Sequence, residues 1–495
     1  MDIPSTPVTA IIVGYGSRGS TYARYALENP SLLKIIGIAE PREFIRSTAA
    51  KKHSFDIIDI PNKSINTSPT SFNPSPSGYY LFSSWEEIVQ LPQKIADCVI
   101  ICTQDQMHTE PTVQLSSLGY HILLEKPMAP SRNQCINIVE SIQKHNVLFA
   151  VGHVLRYTPY MQNIIKLLRS NSIGQIINIQ HLEPIGNIHF SHSFVRGNWR
   201  KEQDSSFLLM TKCCHDIDLI RYMMNNPCLK ISSMGNLTYF KSESQPTEAT
   251  QAKRCIDCPI EKECCWSSKK IYLEPAEQIV KTSAHTGAPV TFPWPMSILL
   301  DKEHTVPAIE EAITNGPYGR CVFHCDNDVV DHQVVSMEFM NGTTATLTTT
   351  AFTKLVCQRQ TKIFGTLGEI TGTCLPPDLG GDHIIHYDYL SRKETKYSNF
   401  LPPSNTALIG HGGADYYLIQ AFIKAVSIAT GKVPIDIPQQ NTLSPEELYK
   451  YRMKIASTYI LSGPEESLDS HLMVFAAEEA RKNNTIISMN EFLNR

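Results

Sequence analysis

A glycine-rich turn directly follows a short apolar run near the start of this 495-residue chain. Residues 8–13 are apolar and rich in β-branched side chains, which predicts a buried parallel strand, and Thr21–Leu27 reads as a helix. Between them Gly14, Gly16 and Gly19 form the pattern G-x-G-x-x-G. In a strand–turn–helix unit these glycines allow the tight turn, the approach of a pyrophosphate and close helix–strand packing. The pattern therefore predicts a dinucleotide site at this turn.

The alternation of strand and helix continues to about residue 152. Further strand-like runs occupy residues 34–39, 96–102, 121–124 and 147–151, with helical stretches between them. This order predicts an α/β domain over residues 1–152, in which a doubly wound parallel sheet of the Rossmann type carries helices on both faces. The segment 56–78 is rich in Ser, Pro and Asn and reads as a loop insertion at the surface.

After residue 152 the strand-like runs become longer and alternate polar with apolar residues. Two of them, 334–339 and 343–350, flank an Asn-Gly pair of the kind that joins hairpin strands. We therefore expect a second, α+β domain with antiparallel pairing over residues 153–495, including a Cys-rich insertion at 250–270. A chain of this length exceeds what one hydrophobic core fills, which agrees with two domains.

The composition excludes several classes of function. The net charge is −4 and 19% of the residues are charged, so no basic excess points to nucleic acid or to an anionic membrane surface. Residues 1–7 lack the features of a secretory signal, and no run is long and apolar enough to span a bilayer. We expect a cytoplasmic protein.

The end of the second strand bears on the choice of nucleotide. Glu40 stands where a carboxylate would hydrogen-bond the ribose hydroxyls, which favours NAD. Arg42 and Arg46 follow and could pair with a 2′-phosphate, which would favour NADP; the alternative is that they are solvated residues at a helix start. The residues favour NAD and leave NADP open.

Two further motifs carry chemistry. In Glu125-Lys126-Pro127, Lys126 can donate a hydrogen bond to a reacting oxygen and Glu125 can orient it; the alternative is a surface lysine before a loop proline. Lys212 precedes His215 and Asp218, which share a helix face, so the histidine is a candidate for proton transfer rather than a structural residue. With the glycine turn, the lysine motif suggests hydride transfer.

Two segments permit either a functional or a structural interpretation. Cys255, Cys258, Cys264 and Cys265 resemble part of a zinc knuckle, but we favour reduced, packed thiols, the state expected of all fourteen cysteines. No other metal ligands are assigned. The sequence His411-Gly-Gly-Ala-Asp415 either closes over a substrate or simply begins the apolar helix that follows.

These motifs together resemble the Gfo/Idh/MocA family, named for glucose–fructose oxidoreductase and inositol dehydrogenase. The landmarks are, in order, Gly14–Gly19, Thr103–His108, Glu125–Pro127, Arg156–Pro159 and the pair His215 and Asp218. The resemblance implies a Rossmann domain followed by a domain with a large, mostly antiparallel sheet that often mediates oligomers. It also implies NAD(P)-dependent oxidation or reduction of a CH–OH or C=O group in a sugar, cyclitol or related polyol.

The resemblance also assigns residues. It implies that Lys126 holds the reacting oxygen and that His215 is the acid/base. We expect Lys212 to assist as a substrate ligand or by tuning a pKa, and Arg156 and Asp218 to contact substrate. The implied nucleotide-binding residues are Gly14, Gly16, Ser17, Arg18, Gly19, Glu40, Thr103, Gln104, His108, Glu125 and Lys126.

One departure and two alternatives accompany this assignment. Many members carry an aspartate where this chain has Thr211, and the pattern K-x-C-H-D-x-D from Lys212 to Asp218 suggests a separate branch in which Lys212 replaces that aspartate. The alternative functions are a non-catalytic NAD(P)-binding sensor and an NAD-dependent glycosidase. We expect a homo-oligomer acting on a small polyol.

Overall fold

The computed structural model describes residues 4–53, 79–300, 304–375, 379–400, 403, 405–435 and 443–494. The chain divides into two compact units, and neither is continuous in sequence. The first unit comprises residues 1–170 and 399–475, and the second comprises 171–398 and 476–495. This grouping differs from a single division after residue 152. The loop insertion predicted at 56–78 lies outside the described residues.

Strands and helices follow one another in the order that the alternating pattern predicts for the first part of the chain. The strands are β1 (Val8–Val13), β2 (Leu33–Ala39), β3 (Tyr80–Phe82), β4 (Cys98–Ile101), β5 (His121–Leu124), β6 (Phe149–Val151), β7 (Ile176–Pro184), β8 (Cys228–Asn236), β9 (His332–Phe339), β10 (Thr344–Thr350), β11 (Gln360–Gly365), β12 (Gly368–Thr373), β13 (His383–Asp388), β14 (Lys393–Ser398) and β15 (Ile486–Ser488). The helices are α1 (Ser17–Glu28), α2 (Glu43–Lys52), α3 (Glu86–Val89), α4 (Thr109–Ser117), α5 (Arg132–His145), α6 (Pro159–Arg169), α7 (Asn187–Phe190), α8 (Leu208–Thr211), α9 (Cys214–Met224), α10 (Glu274–Thr286), α11 (Val306–Asn315), α12 (Ala414–Ala429), α13 (Pro445–Ser457), α14 (Pro464–Asn483) and α15 (Met489–Leu493).

The first unit is built on a six-stranded sheet in the order β3-β2-β1-β4-β5-β6, in which the paired strands are parallel. Both faces are buried, because Ala10 and Ile12 of β1 enter one apolar cluster while Ile11 and Val13 enter another. Apolar runs without alternation are typical of such doubly covered strands. The predicted Rossmann arrangement is confirmed.

One face of this sheet is covered by helices from distant parts of the sequence. The cluster that contains Ile12 also contains Tyr22 of α1 and Leu418 and Phe422 of α12. The opposite cluster contains Ile138 of α5. Residues 399–475 belong to the first unit because α12 and α1 cover the same face of the sheet.

The second unit is built on a nine-stranded sheet in the order β14-β13-β12-β11-β7-β10-β9-β8-β15. The pair β10–β7 is parallel and the other pairs are antiparallel, so the expected α+β domain with a mostly antiparallel sheet is confirmed. β9 and β10 form the predicted hairpin, and Asn341 and Gly342 in its turn have φ of 69° and 74°. Among the helices in the described ranges, none combines the length and apolar character needed to cross a membrane.

Candidate functional site

The three glycines after β1 differ in what an added side chain would meet at each position. Gly14 has φ of +85°, and a Cβ there would lie 2.7 Å from the carbonyl oxygen of Cys102. A Cβ on Gly19 would lie 2.0 Å from the carbonyl oxygen of Gly14, so only glycine lets α1 pack against the turn. At Gly16 a Cβ would meet nothing within 4 Å among the described residues. The backbone at Gly16 is therefore open to a ligand while the other two glycines are needed by the fold.

The amino end of α1 is suited to bind an anion. The helix begins at Ser17, and within the described chain it has no side-chain cap at Gly16 and no acidic residue in its first turn. The first amides of a helix lack intrahelical partners and carry partial positive charge. They and the open backbone at Gly16 can hold the pyrophosphate of a dinucleotide.

Glu40 follows β2 and is fixed as a carboxylate beside the glycine turn. It is 2% exposed and accepts hydrogen bonds from the backbone N–H of Tyr15 at 2.9 Å and from Nε of Arg42 at 2.7 Å. Burial alone would raise the pKa of Glu40, but the bonds from Arg42 and Tyr15 lower it below its ordinary value. Arg46 donates to the carbonyl oxygens of Glu40 and Pro41. Both arginines contact the residue that would bind ribose.

Glu125 lies at the end of β5 in a closed set of hydrogen bonds. Its Oε1 accepts from Nε of Arg18 at 2.8 Å and from the hydroxyl of Tyr22 at 2.6 Å, and its Oε2 accepts from the backbone N–H of Lys126 at 3.1 Å. Burial alone would raise the pKa of Glu125, but Arg18 and Tyr22 lower it. The carboxylate therefore holds the turn that carries Lys126, which is half-buried and precedes a cis bond to Pro127.

The loop after β4 lies against the same turn. His108 is fully buried, with Nδ1 2.7 Å from the carbonyl oxygen of Pro127 and Nε2 3.2 Å from that of Thr103. The imidazole thus joins the β4 loop to the lysine turn. Gln104 is exposed on that loop and Thr103 is half-buried.

Arg156, a predicted substrate ligand, is 2% exposed and donates from Nη1 to the carbonyl oxygen of Leu461 at 2.5 Å. The structure thus places this guanidinium in the interior of the first unit. Its assignment to substrate stays a prediction.

In the second unit, Lys212 lies at the end of α8, beside a buried glutamate and a half-buried cysteine that its sequence motif does not contain. Its Nζ is 2.9 Å from Sγ of Cys357 and 3.4 Å from Oε1 of Glu183. Burial alone would lower the pKa of Lys212, but Cys357 and Glu183 raise it above its ordinary value. Lys212 is therefore an ammonium group, suited to hold an oxygen or a negative charge rather than to act as a base.

Asp216 is the centre of a second buried cluster on α9. Oδ1 accepts from Nε2 of His181 at 2.9 Å and from Nε of Arg359 at 2.7 Å, and Oδ2 accepts from Nη2 of Arg359 at 3.2 Å. Burial alone would raise the pKa of Asp216, but Arg359 and His181 lower it to about 2. Nε of Arg359 is also 3.3 Å from Glu183, which joins this cluster to Lys212.

His215 and Asp218 stand three residues apart on α9, as their spacing predicts. They are buried, with 6% and 1% of their surface exposed. Arg359 and Glu183, which contact Asp216 and Lys212, come from strand ends distant in sequence. Among the partners that the sequence did not predict, only Asp216 lies inside a predicted motif. Its position between His215 and Asp218 could have indicated a role for it.

The cysteines that lie together in the structure differ from the four that stand together in the sequence. A cavity of about 20 Å³ is lined by Cys255, Cys258, Cys264 and Cys321, whereas Cys265 is exposed. All fourteen cysteines are free thiols. Within the ranges that the structure describes, no three His, Cys, Asp or Glu side chains form a group that could hold a metal ion. Of the four cysteines considered as an alternative zinc site, Cys265 thus lies outside the cavity that the other three line together with Cys321.

Comparison with known proteins also indicates an NAD-binding Rossmann fold within the first unit. The family model GFO_IDH_MocA, described as "Oxidoreductase family, NAD-binding Rossmann fold", matches residues 8–153. The chain is 27% identical over 131 residues to a 2,7-anhydro-N-acetylneuraminate hydratase of Escherichia coli, and 25% identical over 136 residues to an inositol 2-dehydrogenase of Corynebacterium glutamicum. These segments are 26% and 27% of this chain, and they span 34% and 37% of the two relatives, well under half of either protein.

Similarity of structure extends over the whole chain. A levoglucosan dehydrogenase solved with NADH superposes with a TM-score of 0.59 at 14% sequence identity, covering 98% of this chain and 99% of the other. At this level of identity the likeness shows the fold. The branch suggested by K-x-C-H-D-x-D stays a prediction. Residues 8–153, which carry the glycine turn and the lysine turn, match the Gfo/Idh/MocA oxidoreductase family model with its NAD-binding Rossmann fold.

Proposed function

We propose that this protein is an NAD(P)-dependent oxidoreductase that transfers a hydride between the nicotinamide and a CH–OH or C=O carbon of a sugar, cyclitol or related polyol. One observation carries the proposal. The glycine turn after β1 and the lysine turn after β5 leave the same edge of one parallel sheet, and the Arg18–Glu125 bond of 2.8 Å joins them. Ligands of open parallel sheets bind at this carboxyl edge.

The residues present fit a dinucleotide. The open backbone at Gly16 and the first amides of α1, which follow from Ser17, would hold the pyrophosphate, and Glu40 would accept hydrogen bonds from the ribose. A bound nicotinamide supplies the hydride chemistry, and the protein supplies placement and electrostatics. We propose NAD rather than NADP, because the ionised Glu40 would repel a 2′-phosphate and Arg42 is already bound to it.

Each reacting group has an assigned residue. Lys126 donates a hydrogen bond to the reacting oxygen, and Glu125 fixes the backbone of that lysine. His215 takes the proton of the hydroxyl when the substrate is oxidised and returns it in reduction. In the second unit, Lys212 remains charged and holds a substrate oxygen. Asp218 and Arg156 complete the assignment as substrate-binding residues.

The relatives and the thiols support the remaining parts of the proposal. An inositol dehydrogenase and a levoglucosan dehydrogenase, by their names, act on polyhydroxylated rings, so we propose a substrate of that kind. The free state of the fourteen cysteines fits a reducing compartment such as the cytoplasm. We also propose a homo-oligomer, following the family resemblance.

The test is turnover of a panel of cyclitols and sugars by the purified protein with NAD⁺, followed through NADH absorbance. We expect oxidation of at least one polyol, and a loss of about 100-fold or more in kcat in Lys126→Met and in His215→Asn. Melting temperatures of the variants should stay near the wild-type value. Turnover that survives both substitutions would contradict the assigned roles.

A second candidate is a reaction in which the substrate is oxidised and reduced again, with no net change in NAD. The similarity to an enzyme named as a hydratase favours it, because hydration is not a net redox reaction. The two candidates differ in stoichiometry. Substrate consumed far beyond the amount of NAD⁺ added, without accumulation of NADH, would select the second candidate.

A further inference from the structure

Asp415 enters the first unit through an unusual chain path. His411, Gly412 and Gly413 have φ of 51°, 67° and 84°, so three successive residues take the left-handed conformation before α12 begins at Ala414. Asp415 then lies in the first turn of the helix and is 2% exposed. This path directs the carboxylate into the interior. The start of a helix does not by itself require a buried acid, because burial of a charge is unfavourable unless the charge is paired.

The partner of this buried carboxylate comes from the glycine turn. Oδ1 of Asp415 accepts from Nη2 of Arg18 at 2.6 Å, although 397 residues separate the two. Oδ2 is 3.3 Å from Nδ1 of His411. A Cβ on Gly410 would lie 2.5 Å from Oδ2, so the preceding backbone approaches the carboxylate closely.

Arg18 in turn connects Asp415 to the lysine turn. The same guanidinium donates to Glu125 at 2.8 Å and to the hydroxyl of Tyr22 at 2.8 Å. Glu125 accepts the backbone N–H of Lys126 at 3.1 Å. An unbroken series of polar contacts therefore runs from α12 through α1 to the residue proposed to hold the reacting oxygen.

We propose that Asp415 is a positioning residue for hydride transfer, which acts through Arg18 on Glu125 and so on Lys126. This inference rests on the proposed function. A planar guanidinium held by carboxylates from two elements has one orientation. With Asp415 neutral, Arg18 keeps a single carboxylate anchor and is free to turn toward the pyrophosphate site beside Gly16. Glu125 then loses its fixed partner, and the lysine turn is no longer held in one geometry.

The test is a double-mutant cycle of Asp415→Asn and Arg18→Met, with kcat and nucleotide affinity measured separately. We expect Asp415→Asn to lower kcat by about 100-fold, the effect of a small misplacement of a reacting group, while the Kd for NAD(H) does not weaken. In the Arg18→Met background the same substitution should have no further effect on kcat, because the two residues act as one unit. Arg18→Lys replaces Arg18→Met in the cycle should the latter fail to fold.

The first unit offers a matched control. Asp97 pairs with Lys432 at 2.6 Å, and both side chains are 17% exposed, so it is another enclosed ion pair that ties the start of the unit to its returning segment. Asp97 precedes β4 and lies at the edge of the sheet opposite to Glu125. Asp97→Asn should lower the melting temperature and leave kcat at the wild-type value.

Two results would overturn the inference. One is a fall in kcat for Asp415→Asn that has the same size with and without Arg18. The other is an Asp415→Asn protein that, like Asp97→Asn, loses stability but keeps kcat. Absence of NAD(P)-linked turnover in the wild-type protein is a separate outcome, which would contradict the proposed function itself and this inference with it.

Discussion

Asp216 is a carboxylate that stays charged in the interior of the second unit because Arg359 and His181 surround it. Its pKa of about 2 lies below the ordinary value of 3.8, so its contribution to stability is present above about pH 4. That contribution is lost as the pH falls through the folded-state pKa, because the unfolded chain takes up the proton more readily.

We predict that Asp216→Asn destabilises the protein by about 3–5 kcal/mol at neutral pH, since it leaves the guanidinium of Arg359 buried without its main partner. Chemical denaturation of the wild type and variant between pH 2 and pH 7 measures this, and the difference should shrink toward the acid end. The double variant Asp216→Asn/Arg359→Met is the control and should recover part of the loss. A pH-independent difference would contradict the assignment of the charge to Asp216.

For single residues, the sequence predicted the site residues that lie inside motifs. It did not predict the residues that the fold places beside them. Lys212, His215 and Asp218 are separated by a few residues, so their common location follows from local structure. Glu183 and Arg359 are single charged residues at strand ends, and their contacts depend on the pairing of β7 with β11, which no local pattern specifies. Asp415 was noted, but only the packing of α12 on α1 shows that Arg18 is its partner.

Within the glycine turn, Gly19 is required by the packing of the fold, whereas Gly16 leaves space for a ligand. We predict that Gly16→Ala keeps the stability of the wild type, because an added Cβ meets open space, and that it weakens nucleotide binding. Gly19→Ala should cost about 1–3 kcal/mol or more, since its Cβ would overlap the carbonyl oxygen of Gly14.

Thermal denaturation without ligand distinguishes the two variants. Equal loss of stability in both would mean that the turn is packed in the same way at each glycine, in conflict with the open space at Gly16. A stable Gly16→Ala variant is also the control needed for measurements of nucleotide binding.

At the scale of elements, the strands and most helices of the first unit were predictable because an apolar run bounded by glycine or a polar turn identifies a parallel strand. The Asn341-Gly342 hairpin was predictable because both residues tolerate positive φ. The division after residue 152 was predicted from the change in pattern. That change does not show where α12 packs, because an apolar face identifies a helix but not the sheet that the helix covers.

The whole molecule depends on the return of the chain to the first unit. Leu418, Ile419, Phe422, Ile423 and Val426 of α12 are buried in the cluster that covers one face of the parallel sheet. Burial of each such side chain contributes about 1.5–3 kcal/mol, so together they match the net stability of an ordinary domain.

We therefore predict that a fragment of residues 1–170 lacks a cooperative thermal transition, whereas residues 1–170 joined to 399–475 show one. Circular dichroism and hydrogen exchange measure the difference. A cooperative transition in the shorter fragment, at the temperature seen with 399–475 attached, would show that α12 is dispensable for the sheet.

The shift in melting temperature with NAD⁺, NADH, NADP⁺ and NADPH tests whether the glycine turn holds a nicotinamide dinucleotide. A ligand that binds the folded state must raise the melting temperature. We predict a clear rise with NAD⁺ and NADH, a smaller one with NADP⁺ and NADPH because of Glu40, and a reduced rise with all four in the Gly16→Ala variant. If none of the four nucleotides changes the melting temperature of a well-folded wild-type protein, the glycine turn does not bind a nicotinamide dinucleotide.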